Sequence, residues 1–299
     1  MSVEPLRQKA QEIWTANFTD GPYSNLIQAD YLISKSSHTY SDILKAPKTL
    51  TTAVPNAALQ DDNSIAFKRT WATAAGRCTA FCIRIVRRLQ EYDSPAFDFK
   101  FYDLRGHRVA RCMKTGILID SSSAVGVLVL KDGADWVRLE EEESNPKWKW
   151  DGGESKFKTE RGLKVSAEPL TVQQCMTQCL SEVRDRFEPL CLFRSFSNNH
   201  AHFHGMLKWV PAKHHLVLIQ DLATKKTTTI TFDRAKGTTS TEKACKDAVT
   251  HFISQYGGPE GEKQWKFGQV DHRAVDVHEK IWETAKALWG FPYISQQQF

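Results

Sequence analysis

The chain lacks a concentrated basic stripe, and that argues first against a nucleic-acid binder. Its formal net charge is only +5, with 40 lysines and arginines interspersed among 35 acids over 299 residues. The one basic-aromatic patch, Lys147-Trp148-Lys149-Trp150, reads as an amphipathic strand or a linker rather than a stacking platform. Long apolar runs are also missing. Val125 to Leu130 is apolar but only as long as a strand, so no membrane-spanning segment is expected. Ser2 to Ala10 is polar and charged with no apolar stretch behind it, which argues against a secretory leader. Paired-cysteine zinc spacing is absent: Cys78 and Cys82, like Cys175 and Cys179, stand four apart, one helical turn rather than a zinc knuckle. Glycine pairs occur only as Gly152-Gly153 and Gly257-Gly258-Pro259, without the strand-to-helix setting of a phosphate loop. Internal repeats and low-complexity segments are absent too.

What is present is ordinary globular composition, 41% hydrophobic and 25% charged, with enough chain for one large domain or two modest ones. Seven cysteines, an odd number, without an export signal indicate reduced thiols and a cytoplasmic setting. Apolar spacing predicts helices over Pro5–Ala16, Thr73–Tyr92 and Thr171–Phe187, the last capped by Thr171, and further helices over Thr241–Tyr256 and Val275–Leu288. Ser36 to Asp62 reads as loop with short helical pieces. Strands are expected at Phe97–Tyr102, His107–Met113, Ile117–Asp120 and Val125–Leu130, then at Leu190–Phe196, Ala201–Val210, His214–Gln220 and Thr227–Phe232. Strands and helices segregate rather than alternate, so the fold class is α+β. The acidic run Glu140–Glu143 and the turn Asp151-Gly152-Gly153 suggest a boundary, with a core over 1–150 and an α+β C-terminal region over 151–299 that shapes the substrate pocket.

One stretch carries chemistry. Cys78 falls in the first turn of a predicted helix, where the partial positive charge of the helix N-terminus favours thiolate over thiol. His107 opens one strand and Asp120 ends the next, with the turn Lys114-Thr115-Gly116 between them. In an antiparallel pair, those positions let a histidine stabilise the thiolate and a carboxylate fix the imidazole. Cys82, further along the apolar stripe of the same helix, reads as a core residue, and so do Cys175 and Cys179. A four-cysteine metal site from those two pairs is a lesser reading.

Gly76-Arg77-Cys78, with Phe81 on the same helix and His107 and Asp120 following in order, resembles the transglutaminase-like superfamily. That group includes transglutaminases, peptide N-glycanases, arylamine N-acetyltransferases and, more distantly, papain-like proteases. The resemblance covers Phe67 to Leu130. It implies a papain-like, transglutaminase-type core, with a catalytic helix packed on an antiparallel sheet, and a Cys78-His107-Asp120 triad. Two positions depart from the pattern. Arg108 and Val109 stand where a tryptophan often follows the histidine, and Ser121-Ser122-Ser123 stand where several members have a proline. The serine run offers hydroxyls to a substrate, and no side chain is assigned as the oxyanion donor beside the Cys78 amide.

The expected activity is acyl transfer through a covalent thioester, with no cofactor. The substrate is an acyl or amide compound, or a carrier-tethered thioester, and the acceptor is water, an amine or a carbon nucleophile. Two other readings stay open. The chain is then a non-catalytic transglutaminase-like interaction domain, or a metal enzyme built on His200, His202 and His204, which alternate along one strand, with His214 or His215 completing the ligand set across a hairpin.

Overall fold

The computed structural model describes residues 2–20, 23–60, 62, 64–72, 76–121, 126–136, 147–159, 166–186, 190–196, 203–210, 214–221, 227–233 and 238–242, with 276, 277, 280, 284, 287 and 288. In chain order the elements begin with helix α1 (Glu4–Asp20), strand β1 (Tyr23–Ser24) and helices α2 (Leu26–Ser36), α3 (Tyr40–Lys45), α4 (Thr49–Ala53), α5 (Ile65–Trp71) and α6 (Cys78–Tyr92). Strands β2 (Phe99–Asp103), β3 (Arg108–Cys112), β4 (Ile117–Asp120), β5 (Val127–Val129) and β6 (Asp135–Trp136) follow. Next come β7 (Trp148–Asp151), β8 (Lys156–Thr159), β9 (Ser166–Ala167), β10 (Pro169–Leu170) and helix α7 (Val172–Arg186). The last strands are β11 (Leu190–Phe196), β12 (Phe203–Val210), β13 (His214–Asp221), β14 (Thr227–Asp233) and β15 (Thr238–Glu242). All strand pairings among the described residues are antiparallel, so the architecture is α+β.

The chain forms two compact units, each assembled from separated segments: Met1–Thr19 with Arg77–Cys179, and Asp20–Gly76 with Leu180–Phe299. The sequence suggested a boundary at 150, but the β7–β8 hairpin crosses that point, pairing Trp150 with Phe157 and Asp151 with Lys156. Gly152 and Gly153 lie in the turn of that hairpin. Residues 151–179 therefore belong with the first unit.

That unit is built around a five-stranded sheet in the order β10-β2-β3-β4-β5. Side-chain alternation gives the sheet two faces, the row Tyr102–Val109 with Leu118 on one and the row Phe101–Ala110–Ile119 on the other. On one face, Tyr102, Val109, Leu118 and Leu130 pack against Trp136, Trp148, Trp150 and Phe157 of the four-stranded sheet β6-β7-β8-β9. The alternating Trp148-Lys149-Trp150-Asp151 explains this packing. Both indoles turn inward and are buried while Lys149 stays exposed, so neither ring is a surface for stacking bases. Arg111 lies 3.9 Å from the Trp150 ring centroid and donates to the Leu130 carbonyl at 3.0 Å. The α6 side buries Phe81, Cys82, Ile85 and Leu89, the apolar stripe seen in the sequence.

The second unit holds a six-stranded sheet, β1-β11-β12-β13-β14-β15, and the helices α2 to α5. The Ser36–Asp62 segment contains α3, whose Thr39–Asp42 capping box closes both ends of its first turn, then α4 and a 3₁₀ turn at Asn56–Ala58. Leu26–Ser36 is helical, although its spacing drew no prediction. Thr241 and Glu242, expected to open a helix, instead pair as β15 with Ile230 and Thr229; the rest of that expected helix, residues 243–256, lies outside the described residues. The described residues between 276 and 288 are helical. Glu140–Glu143 lie outside the described residues. No helix among the described residues is long and apolar enough to cross a membrane.

Candidate active site

The site starts with where α6 begins. Alanine-rich composition predicted a helix from Thr73, but α6 opens at Cys78, with Arg77 extended at φ −96° and ψ −169° as its N-cap residue. The first bond of the helix runs from the Phe81 N–H to the Arg77 carbonyl at 3.0 Å. Cys78 thus occupies the first helical position, among N–H groups that precede intrahelical bonding and present positive charge. Cys82 follows one turn later. Its thiol lies 3.6 Å from the Arg108 carbonyl and 3.7 Å from the Ile119 carbonyl, so it seats the helix over the junction of β3 and β4.

His107 is presented by the β2–β3 hairpin. Arg105 and Gly106 have φ of +58° and +82°, left-handed values that let the chain reverse tightly between β2 and β3. The Leu104 N–H donates to the His107 carbonyl at 2.8 Å, and the Asp103 carboxylate accepts from the Gly106 N–H at 2.8 Å. The same carboxylate sits 3.1 Å from the guanidinium of Arg108, which is buried beside it and donates to Gln178 at 2.9 Å. His107 stands just before β3 rather than within it.

Asp120 ends β4, with Ile117–Asp120 in the predicted place. The turn between β3 and β4 closes through the Gly116 N–H to the Cys112 carbonyl at 2.9 Å, with Gly116 at φ +73°. The Asp120 carboxylate meets His107 Nε2 at 2.8 Å, with Asp120 fully buried and His107 4% exposed. That bond leaves Nδ1 as the ring nitrogen for the thiol. Asp120's main chain is held on both sides. Its N–H donates to the Gly126 carbonyl at 2.9 Å, and its carbonyl accepts from the Trp14 indole N–H at 2.8 Å.

The electrostatics of the two helix cysteines diverge. Burial would push the Cys78 thiol up, but it is outweighed by a hydrogen bond to His107 and that ring's charge. The Arg108 backbone N–H and the Arg77 charge help, and together they bring the thiol down to about 6. Cys82, with no such partner, is pushed far above the ordinary thiol range by burial. Cys175 rises to about 11 for the same reason. One turn of helix therefore separates a thiol held low from one pushed high.

The structure brings Cys78, His107 and Asp120 together. It does not bring His204 together with His214 or His215. His200 and His202 lie outside the described residues, and His204 sits on β12 opposite Ser195 and Gln220. His214 pairs with Val210, six residues along from His204, or about 20 Å of strand. The hairpin register thus keeps His214 and His215 away from His204. No group of three or more His, Cys, Asp or Glu among the described residues is placed to hold a metal ion. Cys175 and Cys179 are buried in α7, whose start is closed by a reciprocal pair, Gln174 N–H to Thr171 Oγ1 at 3.1 Å and Thr171 N–H to Gln174 Oε1 at 2.8 Å.

Two residues of the site gave no local sequence signal. Trp14 reaches Asp120 across 106 positions, and its place on an apolar helical stripe marked it only as core. Ser121, read as a hydroxyl for substrate, is buried and donates to the Cys78 carbonyl at 2.9 Å; Ser122 and Ser123 lie outside the described residues. Comparison with protein-family models, with curated proteins and with solved structures finds no match for the chain.

Proposed function

We propose that the chain is a cysteine-nucleophile acyl-transfer enzyme with a transglutaminase-like, papain-type core, acting through Cys78, His107 and Asp120. The observation that carries this reading is the continuous run from a thiol lowered to about 6, through His107, to the buried Asp120 carboxylate 2.8 Å from the ring. A thiol in a core position has no need of such partners, as Cys82 shows.

In the proposed cycle the Cys78 thiolate attacks an acyl carbon, and its electron pair forms the C–S bond while the carbonyl π pair moves to oxygen. The helix-start amide of Cys78 faces that oxygen. Collapse expels the amine or thiol leaving group, which takes its proton from the His107 imidazolium, and a thioester remains. Water, an amine or a carbon nucleophile then gives its proton to His107 and attacks the thioester, and the Cys78 thiolate departs. Asp120 keeps His107 in the tautomer and orientation that serve both halves. The donor class is an acyl or amide compound, or an acyl group carried as a thioester, and no step calls for a cofactor.

The test is intact-protein mass after exposure to activated acyl esters and acyl thioesters. A single acyl adduct on Cys78, released by hydroxylamine and absent from Cys78→Ala, is expected. Asp120→Asn should retain the adduct but form it at least tenfold more slowly. Equal acylation of wild type and Cys78→Ala would leave the non-catalytic reading in place instead.

A further inference from the structure

We infer that Ser121 is a positioning residue, a strut whose hydroxyl ties the acid's end of the site to the nucleophile's own main chain. The inference rests on the Cys78-His107-Asp120 reading and deepens it. Ser121 is fully buried, and its Oγ donates to the Cys78 carbonyl at 2.9 Å. It is also within hydrogen-bonding reach of the Cys82 thiol. The residue before it is immobilised: Asp120 is held by Gly126 through its N–H, by Trp14 through its carbonyl and by His107 through its carboxylate. One end of the strut is therefore anchored in the sheet.

The other end is the first residue of a helix. That is the part of a helix held by the fewest of its own bonds, so its position depends on what grips it from outside. Arg77 offers no side-chain cap to this end. The Ser121 bond supplies the missing grip, and it acts on the residue whose sulfur must stay within reach of His107. The distance from nucleophile to acid is thus set twice, once through the imidazole and once through Ser121. Without the second constraint the first turn of α6 shifts, and the Cys78–His107 contact lengthens. The thiolate's main support is that contact, so loosening it moves the thiol back toward its ordinary range.

The experiment is the pH profile of alkylation by iodoacetamide, read peptide by peptide, in the full chain and in Ser121→Ala. Ser36→Ala serves as control, because Ser36 is likewise a buried hydroxyl donating to a carbonyl, that of Ile33 at 2.7 Å, in the other unit. Wild-type Cys78 is expected to inflect near pH 6. In Ser121→Ala the inflection rises by about one pH unit, which lowers the thiolate fraction about tenfold at pH 5, while Cys82 stays unlabelled. Ser36→Ala leaves the Cys78 profile unmoved whatever it does to the melting temperature. A Ser121→Ala profile that overlays the wild type overturns the proposal. So does labelling of Cys82 in step with Cys78, which would make Ser121 a packing residue only. A wild-type inflection near the ordinary thiol value of 9.0 would instead remove the triad reading itself.

Discussion

Removing His107 should make Cys78 slower in acid and faster in alkali, and the crossing point can be worked out. His107 supplies the hydrogen bond and the charge that hold the thiol at about 6, so His107→Ala returns it to at least its ordinary value of 9.0. At pH 6 the thiolate fraction then drops from about one half to about one in a thousand, a loss of about 500-fold. The released thiolate is more basic by about three units, and at a Brønsted slope of about 0.45 it is about 20-fold more nucleophilic. Alkylation at pH 6 should therefore slow by about 20-fold rather than 500-fold, and at pH 10 it should quicken by about 20-fold. The two profiles cross near about pH 7.7, or higher if burial carries the freed thiol above 9.0. Iodoacetamide suits the assay because Cys78 is only 9% exposed and a small reagent tests the sulfur rather than a substrate pocket. Parallel profiles without a crossing would refute the ion pair, since a purely steric effect of the substitution scales all pH values alike.

Cys82→Ala removes a thiol shared between the Arg108 and Ile119 carbonyls. It should cost about 1–2 kcal/mol in denaturant unfolding yet leave the Cys78 profile in place. Gly116→Ala meets two obstacles, the positive φ of +73° and the Leu130 carbonyl 3.1 Å from the new Cβ, and should lose about 1–2 kcal/mol by chemical denaturation. Asp62 tests the second unit. Burial opposes its ionisation, but Lys35 at 2.7 Å, the Tyr31 hydroxyl and the Ser64 N–H at 2.8 Å hold the carboxyl well below the usual carboxylate range. A depressed folded value stabilises above the unfolded one, about 3.9, and that stability is lost as pH falls. Asp62→Asn should therefore melt lower than wild type at pH 7, with the gap narrowing as pH falls below 4; a gap as wide at pH 2.5 as at pH 7 would contradict the assignment.

The sequence made short-range chemistry legible and left long-range contacts dark. Ile117–Asp120 was readable because an apolar run between a glycine turn and an acid has few other uses. The α6 stripe was readable for its length, but not its start. Thr73 to Ala75 have good helical composition, and only Gly76 and the extended Arg77 mark the point where the helix begins. The order of Cys78, His107 and Asp120 needed no structure to be noticed. Their bonding did, because it depends on the positive-φ turn at Arg105-Gly106 and on β3–β4 register. Thr241 and Glu242 were drawn into a helix by the lysine- and alanine-containing stretch behind them, whereas cross-strand partners on β14 decide their state. Ser121 and Trp14 were invisible as site residues, since one acts through a backbone carbonyl and the other across most of a unit.

The reach of Trp14 to Asp120 also sets an order of events during synthesis. The indole is made 106 residues before the carbonyl it serves, an interval of about 5–20 s on a translating ribosome. Cys78 emerges within that interval, ahead of both His107 and Asp120, and for that time it is an ordinary thiol. Its reactivity is switched on only when β4 closes against β3 and α1 docks on the new corner. A chain stalled before that point carries Cys78 without the histidine contact that lowers its thiol, so the two ends of the site acquire their chemistry together rather than in turn.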